Sequence, residues 1–435
     1  MSGILEQVVS QSTVEIDHDH PMFSHPDDTT WVDGRADPIA DVRNLQFAHG
    51  PIVRGVSIDG GRAMQFGDIV LPNITVLPQR LENGVFAALT WDAGQAIFGN
   101  QAVYSASVFH ETTGALWGRG IFEMDGDEHA TFRRHMQAGL MPRLVKSWEE
   151  SIILPVLDRH FKRLKPRGQA DLVRELNAFY PYDIIGQVVG YNPDDIRFVA
   201  GQFLKMHRMN VDPAGAFEAS AKLKAYSKAL IEKRRQEPRD DMVSAIAGSE
   251  VAGAEIPEEI FIAMVTHLMQ GGIDTVYRLS SNLMSMLLDH PDQFEMLRER
   301  RELIPRAVEE ALRHQGVPAM LPRVALADNE VLGVHIPKGS IVFNVFAAVN
   351  RDPSRWEDPD KFDILRQPKA NMAFGYGPHA CIGLHLARFE IARYMEHILD
   401  HMPNLRWDPA IAANPPRITG WGIRGTNSLP VVWDV

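Results

Sequence analysis

Apolar and polar positions follow two different rhythms along this 435-residue chain. From Pro51 to about Ser107, β-branched stretches such as DIVLPNITVLP alternate with glycine-rich turns, which predicts a small sheet. From about Pro142 to His314 the apolar positions return at helical spacing. VKSWEESIILPVLDRHFKRL is amphipathic, and Pro155 within it is expected to kink it. AFEASAKLKAYSKALIEKRR predicts another helix, with a basic last turn that suits the helix dipole. EVAGAEIP reads as a short hairpin between helices. The longest helix candidate runs from Pro257 to about Asp289. Pro257 suits the first helical position, Glu258 and Glu259 favour the N-terminal dipole, and Pro291 stops the helix. At 1.5 Å per residue it is roughly 45–50 Å long, enough to cross a domain. Its middle is apolar nearly all round, so it is expected to be buried.

Beyond it, RAVEEALRH predicts a helix and VLGVHIPKGSIVFNVFAAV predicts strands. LHLARFEIARYMEHIL predicts a final helix and GTNSLPVVWDV a terminal strand. The fold class that follows is mainly α with small β-sheets. Residues 1–40, polar, acidic and rich in His and Pro, read as a lead-in. Nothing marks a linker afterwards, so residues 41–435 are expected to form one domain.

Composition narrows the function classes. Hydrophobic residues make up 45% and charged residues 23%, ordinary for a folded soluble protein. A formal net charge of −12 argues against nonspecific nucleic-acid binding, which needs a basic footprint. The N-terminus lacks the apolar core of a signal peptide, and no run of about 18 apolar residues occurs, so a cytoplasmic protein with no membrane span is expected. One cysteine excludes an internal disulfide framework or a Cys-rich zinc site and suits a reducing compartment.

That cysteine, Cys381, lies in AFGYGPHACIGLHLARFE. Gly375, Gly377 and Pro378 force a tight turn, and Gly383 admits close approach of another group. Cys381 just precedes a predicted helix N-terminus, where the dipole and free N–H groups are expected to favour a thiolate. On spacing alone three roles stay open: a buried structural thiol, an iron ligand, or a nucleophile with His379 or His385 as base.

FGYGPHACIG resembles the haem-binding loop of the cytochrome P450 family, FxxGxxxCxG, at Phe374, Gly377, Cys381 and Gly383. The resemblance implies the P450 fold, with the long central helix crossing the domain over haem b (iron protoporphyrin IX), and Cys381 as the axial thiolate to iron. Thiolate donation favours O–O cleavage. MQGGIDTVYRL resembles the family's oxygen-activating segment. It implies that Gly271 and Gly272 leave a groove for O2 and that Asp274 and Thr275 deliver protons there. From the residues alone, the glycines equally suit close helix packing, although they cost a helix roughly 1 kcal/mol each.

Glu310 and Arg313 stand at i,i+3, opposite an apolar face of Ile304, Val308, Ala311 and Leu312. Residue logic alone reads them as a solvated surface pair. The resemblance makes them the family's ExxR pair, completed by Arg366, a network that braces the haem loop. It likewise implies that His129 and Arg133 in MDGDEHATFRRHM, Arg323 in LPRVAL, and His379 meet the haem propionates. Arg134 and Arg388 are expected on a basic patch for an electron donor. Met264, Met269, Met320 and Trp421 are candidates for an apolar pocket.

GGxDTV and the ending SLPVVWDV look like the camphor-hydroxylase branch, while Ser57 to about Arg80 reads as extra sequence. The implied function is a soluble, bacterial-type monooxygenase. It would insert one oxygen atom of O2 into a small or medium apolar substrate, terpenoid-like by branch. Electrons would come from a separate acidic iron–sulfur ferredoxin and its NAD(P)H-dependent reductase, with the enzyme a monomer. The alternatives are a non-oxidative haem-thiolate isomerase or dehydratase and a haem-binding sensor or carrier.

Overall fold

The longest apolar stretch folds as one unbroken helix, Glu258–Asp289, with Pro257 as its N-cap. From Val276 to Leu288 every residue of this central helix is buried, as an all-round apolar pattern requires. Two of its buried serines are satisfied locally. The hydroxyls of Ser280 and Ser281 donate to the carbonyls of Val276 and Tyr277 one turn back, at 2.9 and 2.8 Å. The computed structural model describes residues 38–61, 63–72, 78–206, 209, 212–249, 255–420 and 422–435. Most of the lead-in, most of the EVAGAEIP hairpin and Trp421 therefore lie outside the described residues.

The strands are β1 Ile52–Ile58, β2 Ala63–Phe66, β3 Ile69–Pro72, β4 Val85–Ala88, β5 Tyr104–Ser105, β6 Gln169–Asp171, β7 Leu321–Ala325, β8 Asn329–Val331, β9 Val334–Ile336, β10 Ile341–Asn344, β11 Arg406–Trp407 and β12 Pro430–Val432. Seven join in the order β3-β2-β1-β4-β10-β7-β5. Only the β4–β10 pair in that sheet is parallel, Ile341 opposite Val85. β4 and β10, at its centre, are buried at every position, the continuous apolar reading expected of strands covered on both faces. The extra sequence near 57–80 forms, where described, the β2–β3 hairpin that extends this sheet at one edge. The terminal stretch gives β12, paired antiparallel with β11 and β6.

The helical hydrogen-bond pattern changes just before Pro155. The predicted continuous helix divides into Pro142–Trp148, a π-helical turn Glu149–Ile153, and Leu154–Leu164, which carries the proline in its first turn. Helix Ile304–Gln315 and the final helix Leu384–His401, which follows the cysteine loop, pack against the central helix in one large apolar core. No helix among the described residues is long and apolar enough to cross a membrane.

Candidate haem-thiolate site

The cysteine loop is a glycine turn held on both sides. Gly375 and Gly377 take φ of 75° and 71°, the left-handed region that L side chains avoid. A Cβ on Gly377 would also come within 2.7 Å of the Phe98 carbonyl. The loop closes where the Cys381 N–H donates to the Phe374 carbonyl at 2.7 Å. From outside, an Arg133 guanidinium N–H donates to the Ala380 carbonyl at 2.6 Å, and Gln95 Nε2 donates to the Tyr376 hydroxyl at 2.5 Å.

The Cys381 side chain is exposed and not in a disulfide, yet the protein around it is dense enough that desolvation pushes its thiol pKa up. The Gly383 N–H and the guanidiniums of Arg133 and Arg388 act the other way without reversing the shift. The balance of these groups favours the thiol in the absence of a bound metal. A cation at the sulfur is needed for the thiolate, and coordination to a metal deprotonates a thiol outright.

Beside the loop lies a cluster with too much positive potential for its own carboxylates. Arg323, on β7, is 4% exposed. It stacks 4.2 Å over the Phe98 ring and donates to the Pro322 carbonyl. Desolvation lowers its pKa to about 10. Neither Arg323 nor Arg133 has a carboxylate within ion-pair distance among the described residues. His129 stacks on His379 with ring centroids 4.1 Å apart, and its buried Nε2 has no hydrogen-bond partner. Desolvation, then the neighbouring His379 and Arg133 charges, lowers His129 to about 4.

Asp125, which the sequence reading missed, is the acid of this cluster. It stands at the N-cap of helix Gly126–Ala138 but leaves that helix uncapped. Its carboxylate accepts instead from the Ser105 hydroxyl and the Ala106 N–H, and contacts His379 Nε2 at 3.3 Å. Burial would raise the Asp125 carboxyl, but the hydrogen bonds from His379, Ser105 and Ala106 bring it below its ordinary value. The capping position in MDGDEH was a visible signal; the partner across the fold was not.

On the central helix the two glycines separate. Gly272 packs against helix Tyr180–Val189, where a Cβ would meet the Ile185 side chain at 2.4 Å. Gly271 is exposed, and a Cβ there would meet nothing within 4 Å. Open space thus lies beside Gly271, while Gly272 packs closely against its neighbour helix. Thr275, one turn on and partly exposed, donates to the Gly271 carbonyl at 2.5 Å. Asp274 is buried, and Arg278 Nε donates to its Oδ1 at 3.1 Å. This i,i+4 partner was legible in IDTVYRL but was not singled out.

The ExxR residues come together below the loop, and not as a solvated pair. Arg313 Nε and Nη2 donate to the two Glu310 oxygens, both at 2.8 Å, with side chains 1% and 4% exposed. Arg366 Nε and the Asp363 N–H add to Glu310 Oε1 at 3.2 and 3.0 Å. Arg388, expected on a basic patch, is instead paired with Glu309 and stacks 4.6 Å over Phe374; Arg134 is exposed. Met264, Met269 and Met320 are buried core residues, the plainer of the two readings for such side chains.

A thiol favoured over its thiolate, next to one buried and one half-buried guanidinium with no carboxylate in ion-pair distance, makes two opposite demands on one small region. An iron porphyrin answers both, with the metal for the sulfur and propionates for Arg323, Arg133 and His129, so the residues present fit haem. Fold and site define a haem-thiolate protein. The chain belongs to the cytochrome P450 family: the family's sequence profile, described as Cytochrome P450, matches residues 199–420.

Among similar proteins, a steroid C26-monooxygenase of Mycobacterium tuberculosis is 31% identical over 319 residues, 72% of this chain and 85% of that protein. A vitamin D3 dihydroxylase of Streptomyces griseolus is 33% identical over 314 residues, 71% of this chain and 76% of that one. The crystal structure of CYP109E1 from Bacillus megaterium, solved with testosterone, superposes over 92% of this chain and all of its own with a TM-score of 0.78 at 22% identity, which speaks to the fold. The protein is accordingly an oxidoreductase of the monooxygenase class with haem b as its cofactor.

Proposed function

We propose that this enzyme inserts one oxygen atom of O2 into a C–H bond of a small or medium alicyclic, terpenoid-like substrate. Residues 41–435 act as a single haem domain, monomeric and cytoplasmic. Electrons arrive from a separate acidic iron–sulfur ferredoxin and its NAD(P)H-dependent reductase. Bound haem supplies the reductive activation of O2 and the insertion chemistry. The observation that carries the reading is the open space beside Gly271 and Thr275, midway along a central helix in which Gly271 is the one exposed residue between residues 260 and 288. The alicyclic class is supported by the GGxDTV and SLPVVWDV motifs and by relatives named for a steroid and vitamin D3.

The protein's residues divide the work. Cys381 holds the iron, with its loop fixed by Gly375, Gly377 and Phe374. Arg133, Arg323, His129 and His379 hold the propionates. Thr275 holds a proton at Oγ1 beside the groove. Asp274 connects that hydroxyl to water when its carboxylate exchanges away from Arg278.

NADH and O2 consumption with a surrogate ferredoxin and reductase, followed beside product analysis over a terpenoid panel, tests the reading. Hydroxylated product in step with NADH is expected. Product without NADH or O2 use would mean an isomerase or dehydratase, and no turnover at all would favour a sensor or carrier.

Two variants refine the assignments. Thr275→Ala should keep consuming NADH while product per NADH falls about 100-fold, the low end of a general acid's contribution, with peroxide released. Unchanged coupling would show that protons arrive by another route. Arg323→Met should leave far-UV circular dichroism intact but speed haem loss to a scavenger about 10- to 100-fold, the size of one charge-assisted hydrogen bond. Unaltered haem loss would remove Arg323 from the propionate set.

A further inference from the structure

The far end of the final helix carries a second cluster of ligand-type side chains that the haem chemistry does not use. His397 and His401 lie one turn apart on Leu384–His401, and Asp158 faces them from helix Leu154–Leu164. His397 Nδ1 lies 2.8 Å from the Arg393 carbonyl. A carbonyl only accepts, so Nδ1 carries a ring proton. The other nitrogen, Nε2, is 3.1 Å from Asp158 Oδ1. In the neutral ring two lone pairs then face each other, which requires either a second ring proton or a metal ion between them.

The arrangement favours a metal ion on three grounds. One ring nitrogen each from His397 and His401 and one Asp158 oxygen all lie within 4.8 Å of one another. Two ligands about 2.0–2.1 Å from a tetrahedral zinc stand about 3.3 Å apart, close to the 3.1 Å seen between His397 and Asp158. His401 Nδ1 is buried without a hydrogen-bond partner, so no protein group fixes that ring's tautomer. The buried Phe161 ring packs near both imidazoles, its centroid 5.4 and 5.8 Å from theirs. The Asp158 side chain is 68% exposed, which gives an ion a way in and leaves a position for water.

We propose that Asp158, His397 and His401 form a site for a divalent transition-metal ion of the zinc class. Two imidazoles and one carboxylate with an open position are a zinc-type donor set, and imidazole selects such ions over magnesium or calcium. The ion ties helix Leu154–Leu164 to the last turn of the helix whose first turn follows Cys381. Its effect is on stability and not on oxygen chemistry.

The test uses the chelator-treated holoenzyme in a background where His18, His20 and His25 are Gln, because that N-terminal segment offers rival imidazoles. Zn2+ is titrated calorimetrically into this protein and into its His397→Gln, His401→Gln and Asp158→Asn derivatives. Saturable one-to-one binding is expected in the parent, weakened at least ~10-fold in each histidine variant, the loss that even an outer partner of a metal ligand carries. The Tm of the parent should rise with Zn2+ and that of the histidine variants should not. An unchanged ferrous–CO spectrum shows that the variants are folded, and Asp158→Asn, which keeps both imidazoles, serves if either histidine variant is not. No saturable binding in the parent would leave a plain His–Asp ion pair and overturn the proposal. Binding indifferent to all three substitutions would place the metal elsewhere and overturn it equally.

Discussion

Cys381→His is expected to retain some haem, lose the strongly red-shifted ferrous–CO Soret band and form no hydroxylated product. The reason lies in the balance at the sulfur. Desolvation raises the thiol, and Gly383, Arg133 and Arg388 only partly offset it, so a thiolate here would be held by a bound metal. An imidazole can occupy the same loop and bind iron as a neutral ligand, but it does not push electron density onto the metal as a thiolate does. The propionate contacts proposed for Arg133, Arg323 and His129 would not depend on the sulfur. Full oxygenation by this variant would remove Cys381 from the iron.

Glu310→Ala should prevent recovery of haem-loaded protein, and for a different reason. Arg313 and Glu310 are both buried and doubly bonded, and removing one member of such a pair costs about 3–5 kcal/mol. That is a large part of the roughly 5–15 kcal/mol by which a domain is stable. The loss also takes the one carboxylate from Arg366 and the acceptor from the Asp363 N–H, which share Glu310 Oε1. Arg313 further donates to the carbonyls of Asn350, Pro359 and Lys361, so it ties down the segment leading to the cysteine loop. A buried pair can often be replaced by apolar side chains without loss. Here Glu310→Leu/Arg313→Leu should fail to rescue, because Arg366 keeps no carboxylate partner and the carbonyls of Asn350 and Pro359 lose their Arg313 donor. Normal haem content in Glu310→Ala, read from the Soret-to-protein absorbance ratio, would contradict a bracing role.

The parts of this site legible in the sequence are those written in local spacing. The central helix announced itself by its Pro257 start, its apolar middle and its Pro291 stop, and the structure runs it from Glu258 to Asp289, within two residues of those signals. The cysteine loop was legible because left-handed turns need glycine at fixed positions, and Gly375 and Gly377 occupy them.

What stayed hidden are contacts across the fold. The amphipathic pattern of IPRAVEEALRHQ put Glu310 and Arg313 on the polar side, yet a second apolar and hydrogen-bonding layer covers that side too. Asp125 looks like a helix cap until Ser105 and His379 arrive from elements 20 and 254 residues away. Gly271 and Gly272 are equivalent as letters; Ile185 on another helix distinguishes them. Arg388 reads as a free cation until Glu309 is placed beside it. Local chemistry was readable wherever backbone geometry demands a residue type, and unreadable wherever a distant partner decides its meaning.

The central claim, a thiolate from Cys381 on haem iron, is tested most directly by the optical spectrum of the purified protein, reduced and exposed to carbon monoxide. The account predicts a strongly red-shifted Soret band in the wild type that is absent in Cys381→His. A wild-type band at the position typical of histidine or neutral-thiol ligation would contradict it.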